Sequence, residues 1–451
     1  MSTDRFEAHD YYLMDELLTE EHKLIRETAR AWVKKEVSPI IEDCFENCDF
    51  PQHILPGLGE IGAFGPYIPV EYGGAGLDQI SYGLIMQELE RCDSGLRSTA
   101  SVQSSLVMYP IWKYGTEDQK QKFLPKLATG EFLGCFGLTE PDYGSNPGGM
   151  VTNFKDMGDH YLLNGAKMWI SNSPLSDVAV VWAKDETGRI HGLLVEKGME
   201  GFTAPEMHGK HSLRASITGE LIFDNVKVPK ENLMPGRSGL GAPLSCLDSA
   251  RYGIAWGAIG AAMDCYDSAL RYSKERTQFD RPIGGFQLTQ KKLAEMITEI
   301  TKAQLLTHRL GVLREEGRAT SAQISMAKRN NVDMALKIAR EARQIHGAMG
   351  ITNEYSIMRH MANLESVGVF VLLFVPFPRL HNLLSPPTVL RGVIFLFELV
   401  HNIHVTQPRT LELFKTYVRY TKLESSVLYN LRTAEIVVDD KETIMVVIAT
   451  Y

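Results

Sequence analysis

Two arginines carry the first chemical reading of this chain. Arg97 follows Glu90 and Asp93 and precedes Ser98 in ELERCDSGLRSTASVQSS, and Arg276 opens a stretch, ERTQFDRPIGGFQLTQKKLA, that also holds Gln287. A guanidinium is a permanently charged fork of donors that matches a carboxylate or a phosphate. When buried, it forms charge-assisted hydrogen bonds that contribute about 1.5–3 kcal/mol each. Each arginine also has a plainer reading: Arg97 can pair with Asp93 or Glu90 along its own helix surface, and Arg276 or Gln287 alone can be a solvated surface residue. The six cysteines form neither an extracellular framework nor a paired CxxC pattern, which suits a reducing compartment. Cys44 and Cys48 have no histidine nearby, so no metal site is expected there.

The elements that must position these residues fall into an α–β–α order. Thr19 reads as an N-cap ahead of Glu20 and Glu21, with Leu24, Ile25, Thr28, Ala29, Trp32 and Val33 on one helical face. Further helices fit 81–92, 98–114 and 117–128, punctuated by the glycine-rich turn from Tyr72 to Gly76. Residues 1–133 therefore read as an α-helical domain. Between 134 and 236 the period changes. Tyr161 to Leu163, Asn164-Gly165 and Lys167 to Ile170 give a hairpin signal, apolar runs follow at 178–182 and 191–195, and Leu221, Phe223, Val226 and Val228 alternate around Asp224-Asn225. Residues 237–367 read as a second helical domain, with Ile324, Ala327, Ala335, Ile338, Ala342 and Ile345 on one face of a long helix that ends near Gly347.

Bulk properties agree with a folded chain of two or three packed units. Hydrophobic residues at 44% and charged residues at 23% are ordinary for a globular protein, and the net charge of −8 gives no global attraction to nucleic acid or anionic lipid. The first residues are acidic and lack an apolar or arginine-rich leader, so a cytoplasmic setting is expected, or a mitochondrial matrix in a eukaryote.

Five strings then coincide with this order: CFGLTEPDYGSNPGG (135–149), KMWISNSP (167–174), ARYGIAWG (250–257), ERTQFDRPIGGFQLTQKKLA (275–294) and QIHGAMGITNEY (344–355). Together they resemble the acyl-CoA dehydrogenases, from about residue 10 to Val367, and SGLRSTASVQSSLV resembles the glutaryl-CoA branch. The resemblance implies an α+β fold with an N-terminal helical domain, a middle β-barrel or sandwich and a C-terminal helical bundle. It also implies an FAD cofactor, an acyl-CoA substrate, an electron-transferring flavoprotein as acceptor and a homotetramer whose subunits share the flavin site.

By the same resemblance, Phe136, Leu138 and Thr139 meet the flavin edge, while Trp169, Ile170 and Ser171 cover its ring and exclude water. Arg276, Phe279 and Gln287 take the diphosphate, and Gln344, His346, Gly347 and Ala348 take the adenosine end from the adjacent chain. Glu90, Arg97 and Ser98 hold the far carboxylate of a dicarboxylic acyl group. Ser145, Leu244, Asp248 and Arg251 meet the thioester or the CoA moiety.

The pattern departs from the family after Val367. In the glutaryl branch a glutamate removes the α-proton, the β-hydrogen leaves as hydride and decarboxylation yields crotonyl-CoA; that glutamate arrives in a string of the form NLExVxTYEGTHDIH. Here the match stops at Asn363, Leu364, Glu365, Ser366 and Val367, with Phe370 at the aromatic position and Val371 where the glutamate belongs. The alternative base slot used by some relatives, directly before Arg251, holds Ala250, and Glu365 is expected to point elsewhere. Residues 368–451 resemble nothing in the family; their apolar runs VFVLLFV and VIFLFELV are too short to span a bilayer and are interspersed with prolines. Three readings stay open: a glutaryl-CoA dehydrogenase with impaired turnover, a flavin- or acyl-CoA-binding protein without catalysis, and a misassembled variant.

Overall fold

The computed structural model describes residues 10–369 together with Thr433–Val438 and Ile444–Ala449. The chain divides into two units, Met1–Phe374 and Val375–Tyr451.

The first unit opens with helices whose starts are written locally. Thr19 caps α1 (Glu20–Trp32) through a capping box in which His22 returns the bond. After α2 (Ile41–Asn47) and α3 (Leu55–Glu60), Asp78 caps α4 (Gln79–Cys92) and Asp93 caps α5 (Ser94–Ser101). The helix expected over 98–114 is not continuous. It widens into a π-helical stretch at Val102–Met108 before α6 (Tyr109–Tyr114), because Pro110 has no N–H to return to Leu106. Thr116 caps α7 (Glu117–Thr129) with a second capping box.

A sheet follows, built from β1 (Gly134–Gly137), β2 (Asn153–Asp156), β3 (His160–Ser171), β4 (Val178–Lys184), β5 (Ile190–Glu196), β6 (Phe202–Thr203), β7 (Thr218–Pro229) and β8 (Leu233–Met234). Its order is β6-β7-β3-β2-β4-β5-β8, with β1 lying parallel to β4. The hairpin expected at Asn164-Gly165 is absent, and β3 runs straight through it. Gly165 has φ 136°, a Cβ there would stand 2.6 Å from Thr152 Oγ1, and the ladder with β7 slips between Leu163 and Gly165. The dipeptide makes a bulge rather than a turn, because Asn225 donates its backbone N–H to Asn164 Oδ1 at 2.9 Å from the facing strand.

The unit closes with α8 (Gly241–Glu275), the two-residue strands β9 (Thr277–Gln278) and β10 (Arg281–Pro282), α9 (Gln287–Glu315), α10 (Ser321–Ile345) and α11 (Ile357–Val369). α8 and α4 are buried against each other at close range. A Cβ on Gly260 would lie 2.0 Å from the Gln87 carbonyl oxygen, and one on Gly257 would lie 2.0 Å from Glu90 Oε2. These glycines let a helix carrying buried Gln87, Glu88, Glu90 and Arg91 pack against α8. Among the described residues no helix is long and apolar enough to cross a membrane. In the second unit, β11 (Thr433–Val438) and β12 (Ile444–Ala449) pair antiparallel.

Candidate functional site

A cavity of about 700 Å³ lies within the first unit, where five segments meet. Arg97, Ser98, Ser101, Val102 and Leu106 enter from α5 and the π-helical stretch after it. Phe136, Leu138 and Thr139 come from the end of β1, Gly144, Ser145 and Pro147 from the loop beyond, and Trp169, Ile170 and Ser171 from the end of β3. Leu247, Ala250 and Ile254 share one face of α8, and Glu365, Ser366 and Val369 come from the last turns of α11. The structure therefore brings together Arg97, Ser98, Ser145 and the six residues expected at the flavin ring.

The backbone at Trp169 is strained to present its ring. Its φ is 62°, in the left-handed region that bulky residues avoid, and the side chain is 54% exposed, so it borders open space and not the core. The strain sits in a second slip of the β3–β7 ladder, between Lys167 and Ile170.

Arg97 combines the two readings made for it. Its Nε donates to Glu90 Oε2 at 2.6 Å, and Ser94 Oγ donates to Glu90 Oε1 at 2.8 Å. The pair is buried, not on a helix surface: the two side chains are 4% and 0% exposed. The two terminal nitrogens of Arg97 have no partner among the described residues, and Arg97 lines the cavity. Glu90 does not line it; it orients Arg97 from behind.

Other expected residues lie elsewhere. Leu244, Asp248 and Arg251 are off the cavity wall, because the helical period turns Leu247 and Ala250 toward it instead. Arg251 donates to Asp248 Oδ1 at 3.0 Å, while its Nε and one terminal nitrogen are buried without a partner, and burial pulls its pKa down. Arg276, Phe279 and Gln287 are exposed and do not reach the cavity in this chain; Phe279 has φ 54° and is 87% exposed. Gln344, Gly347 and Ala348 are exposed as well, with Gln344 accepting from Lys292 Nζ.

His346 is the clearest departure from expectation. Its side chain is buried, stacks on Tyr272 with centroids 4.5 Å apart, and holds Ala342 O at 2.8 Å through Nδ1 and Ser268 Oγ at 3.1 Å through Nε2. With Nδ1–H donating to the carbonyl, Nε2 accepts from the serine, and the neutral ring is fully used inside its own fold; burial accordingly lowers its pKa. Its side chain is not available to an adjacent chain.

Glu365 borders the cavity and among the described residues is the carboxylate that does so, but its side chain is 56% exposed and pairs with Arg340, which is not in the wall. Its place at one turn before Val369 on the same helix face was the signal that could have revealed this border position. Ala250 also lies in the wall, presenting only a methyl group. Val371 falls outside the described residues.

Comparison with known proteins matches this architecture domain by domain. The acyl-CoA dehydrogenase N-terminal domain matches residues 19–131, the middle domain 135–226 and the C-terminal domain 237–369. The glutaryl-CoA dehydrogenase of Desulfococcus multivorans is 38% identical over 357 residues, covering 77% of this chain and 91% of that protein. A caffeyl-CoA reductase–Etf complex subunit from Acetobacterium woodii is 37% identical over 347 residues, covering 76% and 92%. A crystal structure of a glutaryl-CoA dehydrogenase from Mycobacterium smegmatis in complex with FADH2 superposes with a TM-score of 0.78 at 47% identity, covering 79% of this chain and 92% of that one. With its three domains in order and its cavity where they meet, the chain belongs to the acyl-CoA dehydrogenase family, whose members are FAD-dependent oxidoreductases.

Proposed function

We propose that this chain binds FAD and a CoA thioester of a dicarboxylic acid, with glutaryl-CoA the favoured ligand, and that its own dehydrogenation step is disabled. The observation that carries the substrate reading is Arg97: a guanidinium in a mostly apolar cavity, fixed through Nε by Glu90, with its terminal nitrogens unpartnered among the described residues. A simple fatty acyl tail would leave the two terminal nitrogens desolvated and without an acceptor, whereas a terminal carboxylate would accept from both.

The cavity also fits the cofactor. Its walls are mostly apolar, with hydroxyls at Ser98, Ser101, Thr139, Ser145, Ser171 and Ser366 and charges at Arg97 and Glu365, and the strained Trp169, 54% exposed, supplies an aromatic surface. Bound there, FAD supplies the acceptor for the electrons taken from the acyl chain. Trp169 and Ile170 exclude water, Ser145 stands where a thioester would pass, and Arg97 fixes the far end of the acyl group. Arg276, Phe279 and Gln287, exposed in one chain, suit a diphosphate shared across a homotetramer, and an electron-transferring flavoprotein suits the acceptor role.

Proton removal is what this chain lacks. Val371 stands in the glutamate's place, Ala250 in the alternative slot, and Glu365 is engaged by Arg340. Purified chain reconstituted with FAD and mixed anaerobically with glutaryl-CoA is expected to keep its flavin oxidised while the ligand perturbs the flavin absorption. Rapid bleaching would show that a base is present after all; identical affinity for glutaryl-CoA and a monocarboxylic acyl-CoA of similar length would remove the substrate assignment.

A further inference from the structure

Just behind the cavity wall lies a buried ion pair that the proposed chemistry does not use. Lys167 Nζ stands 2.8 Å from Glu140 Oε1, and the two side chains are 0% and 1% exposed. Neither residue lines the cavity, yet the segments that wall it on the sheet side are all tied to them. Lys167 donates a second bond to the Leu138 carbonyl at 3.2 Å, directly behind the Leu138 and Thr139 wall. Glu140 accepts the Val151 and Thr152 N–H groups at 2.7 and 3.0 Å, closing the loop that carries Gly144, Ser145 and Pro147. Met168, the residue after Lys167, donates its N–H to the Thr139 carbonyl at 2.9 Å, and Trp169 with its positive φ comes next.

Stability alone does not explain such a pair. Desolvating two charges costs about what their attraction returns, and apolar replacements of similar volume are often neutral or stabilising. A strained backbone, by contrast, persists only where its surroundings over-determine it. At Trp169 the over-determination is visible: the strand is held at Lys167 by Glu140 and at Met168 by Thr139, just before the ladder slips. Burial pulls the Lys167 amine down to about 8, with Glu140 opposing it. An ammonium on the Leu138 carbonyl also polarises the Leu138–Thr139 peptide that faces the site.

We propose that Lys167 and Glu140 are positioning residues for the flavin: they hold the Leu138–Thr139 wall and the Trp169 bulge in the arrangement that accepts the ring, and they set the field of that wall. The inference rests on the flavin-binding part of the proposed function and is independent of glutaryl selectivity.

The test uses the full chain and K167M/E140Q, in which no charge is left unpaired and the single oxygen of the new side-chain amide at position 140 keeps an acceptor for one of the Val151 and Thr152 N–H groups. FAD is titrated into apoprotein, with affinity read from flavin fluorescence and geometry from the visible circular dichroism of the bound flavin, alongside a urea unfolding curve. The expected result is a cooperatively folded variant whose FAD dissociation constant rises at least roughly tenfold and whose flavin dichroism changes. A folded variant with the parent's affinity and the parent's dichroism overturns the inference and leaves the proposed function standing. Should the double variant not fold, E140Q is judged by the same two readings, with at least a roughly threefold rise expected and no change overturning the inference. A parent chain that takes up no FAD overturns the proposed function itself, and this inference with it.

Discussion

Arg97 and Glu90 meet through one nitrogen and one oxygen: Nε donates to Oε2 at 2.6 Å, leaving the guanidinium's other edge without a partner among the described residues. The two residues belong to different helices, with Asp93 capping the second, so the break between α4 and α5 is what turns Arg97 toward the cavity while Glu90 stays beneath it. Gly257 on α8 leaves room for the Glu90 carboxylate. One side of the guanidinium is thus committed to the fold and the other is open to a ligand.

Replacing Arg97 with alanine is therefore expected to act on substrate choice. In a version carrying the family's glutamate-bearing loop after Val367, R97A should lower kcat/KM for glutaryl-CoA by about tenfold to a hundredfold more than for a monocarboxylic acyl-CoA. Steady-state kinetics with both substrates checks this. Equal losses would mean that Arg97 only supports Glu90.

Asp93 ties α11 to the helices that carry Arg97. Its carboxylate is fully buried and accepts from Arg359 at 2.9 Å, Asn363 Nδ2 at 2.8 Å and Gly95 N–H at 2.6 Å. Burial works against the Arg359 charge, but Asp93 and Glu42 more than offset it and raise its pKa. D93A leaves Arg359 with Glu42 alone and the Asn363 and Gly95 donors without their acceptor, and should cost about 3–5 kcal/mol in urea unfolding; adding R359M should recover part of the loss. Strictly additive losses would show that the two residues do not act as a pair.

Lys328 should give the protein an alkaline signature. Its amine is buried, donates to the Val367 and Gly368 carbonyls at 2.8 and 3.2 Å, and is pushed down to about 7 by burial, with Arg251 and Arg97 adding to the effect. Between pH 7 and the usual 10.5, the unfolded chain binds a proton that the folded chain has released, so this group's contribution to stability rises with pH across that window. K328M removes the contribution and leaves two carbonyls without their donor, costing about 1–3 kcal/mol. Unfolding midpoints measured across that alkaline window should climb less steeply in the variant than in the parent. Parallel curves would place the titration elsewhere, with Lys167 and Lys210 as the other depressed amines.

Trp169 separates binding from stability. Because its ring is 54% exposed and its φ is 62°, truncation sacrifices little burial while the position itself is strained. W169G, which accepts that φ without strain, should unfold within about 1 kcal/mol of the parent yet retain FAD poorly on gel filtration. A large loss of stability with FAD retained would contradict the role given to the ring.

Much of this protein could be read from its residues in order. Thr19 with its following turn specified the start of α1, the apolar runs at 178–182 and 191–195 became β4 and β5, and the strings around Phe136, Trp169 and Arg97 placed the chain in its family. These are signals carried by neighbours: a cap, a period of two or of 3.6, or a contiguous motif. Val371 in the place of a glutamate is equally a statement of order along the chain.

What order could not supply was which face of each element meets which partner. Asn164-Gly165 has the composition of a turn, but Thr152 and Asn225 from neighbouring segments make it a bulge. His346 is sealed by Tyr272 and Ser268 from another helix, and the docking of α11 brings Glu365 to the cavity's border with its carboxylate paired to Arg340. The sequence determined the family, the helices and strands, and the kind of chemistry that Arg97 and Trp169 can do. Only the tertiary structure decided that Glu90 holds one edge of Arg97, that Lys167 and Glu140 stand behind the wall, and that Arg251 lies off it, because burial and partner are properties of packing between segments distant in the chain.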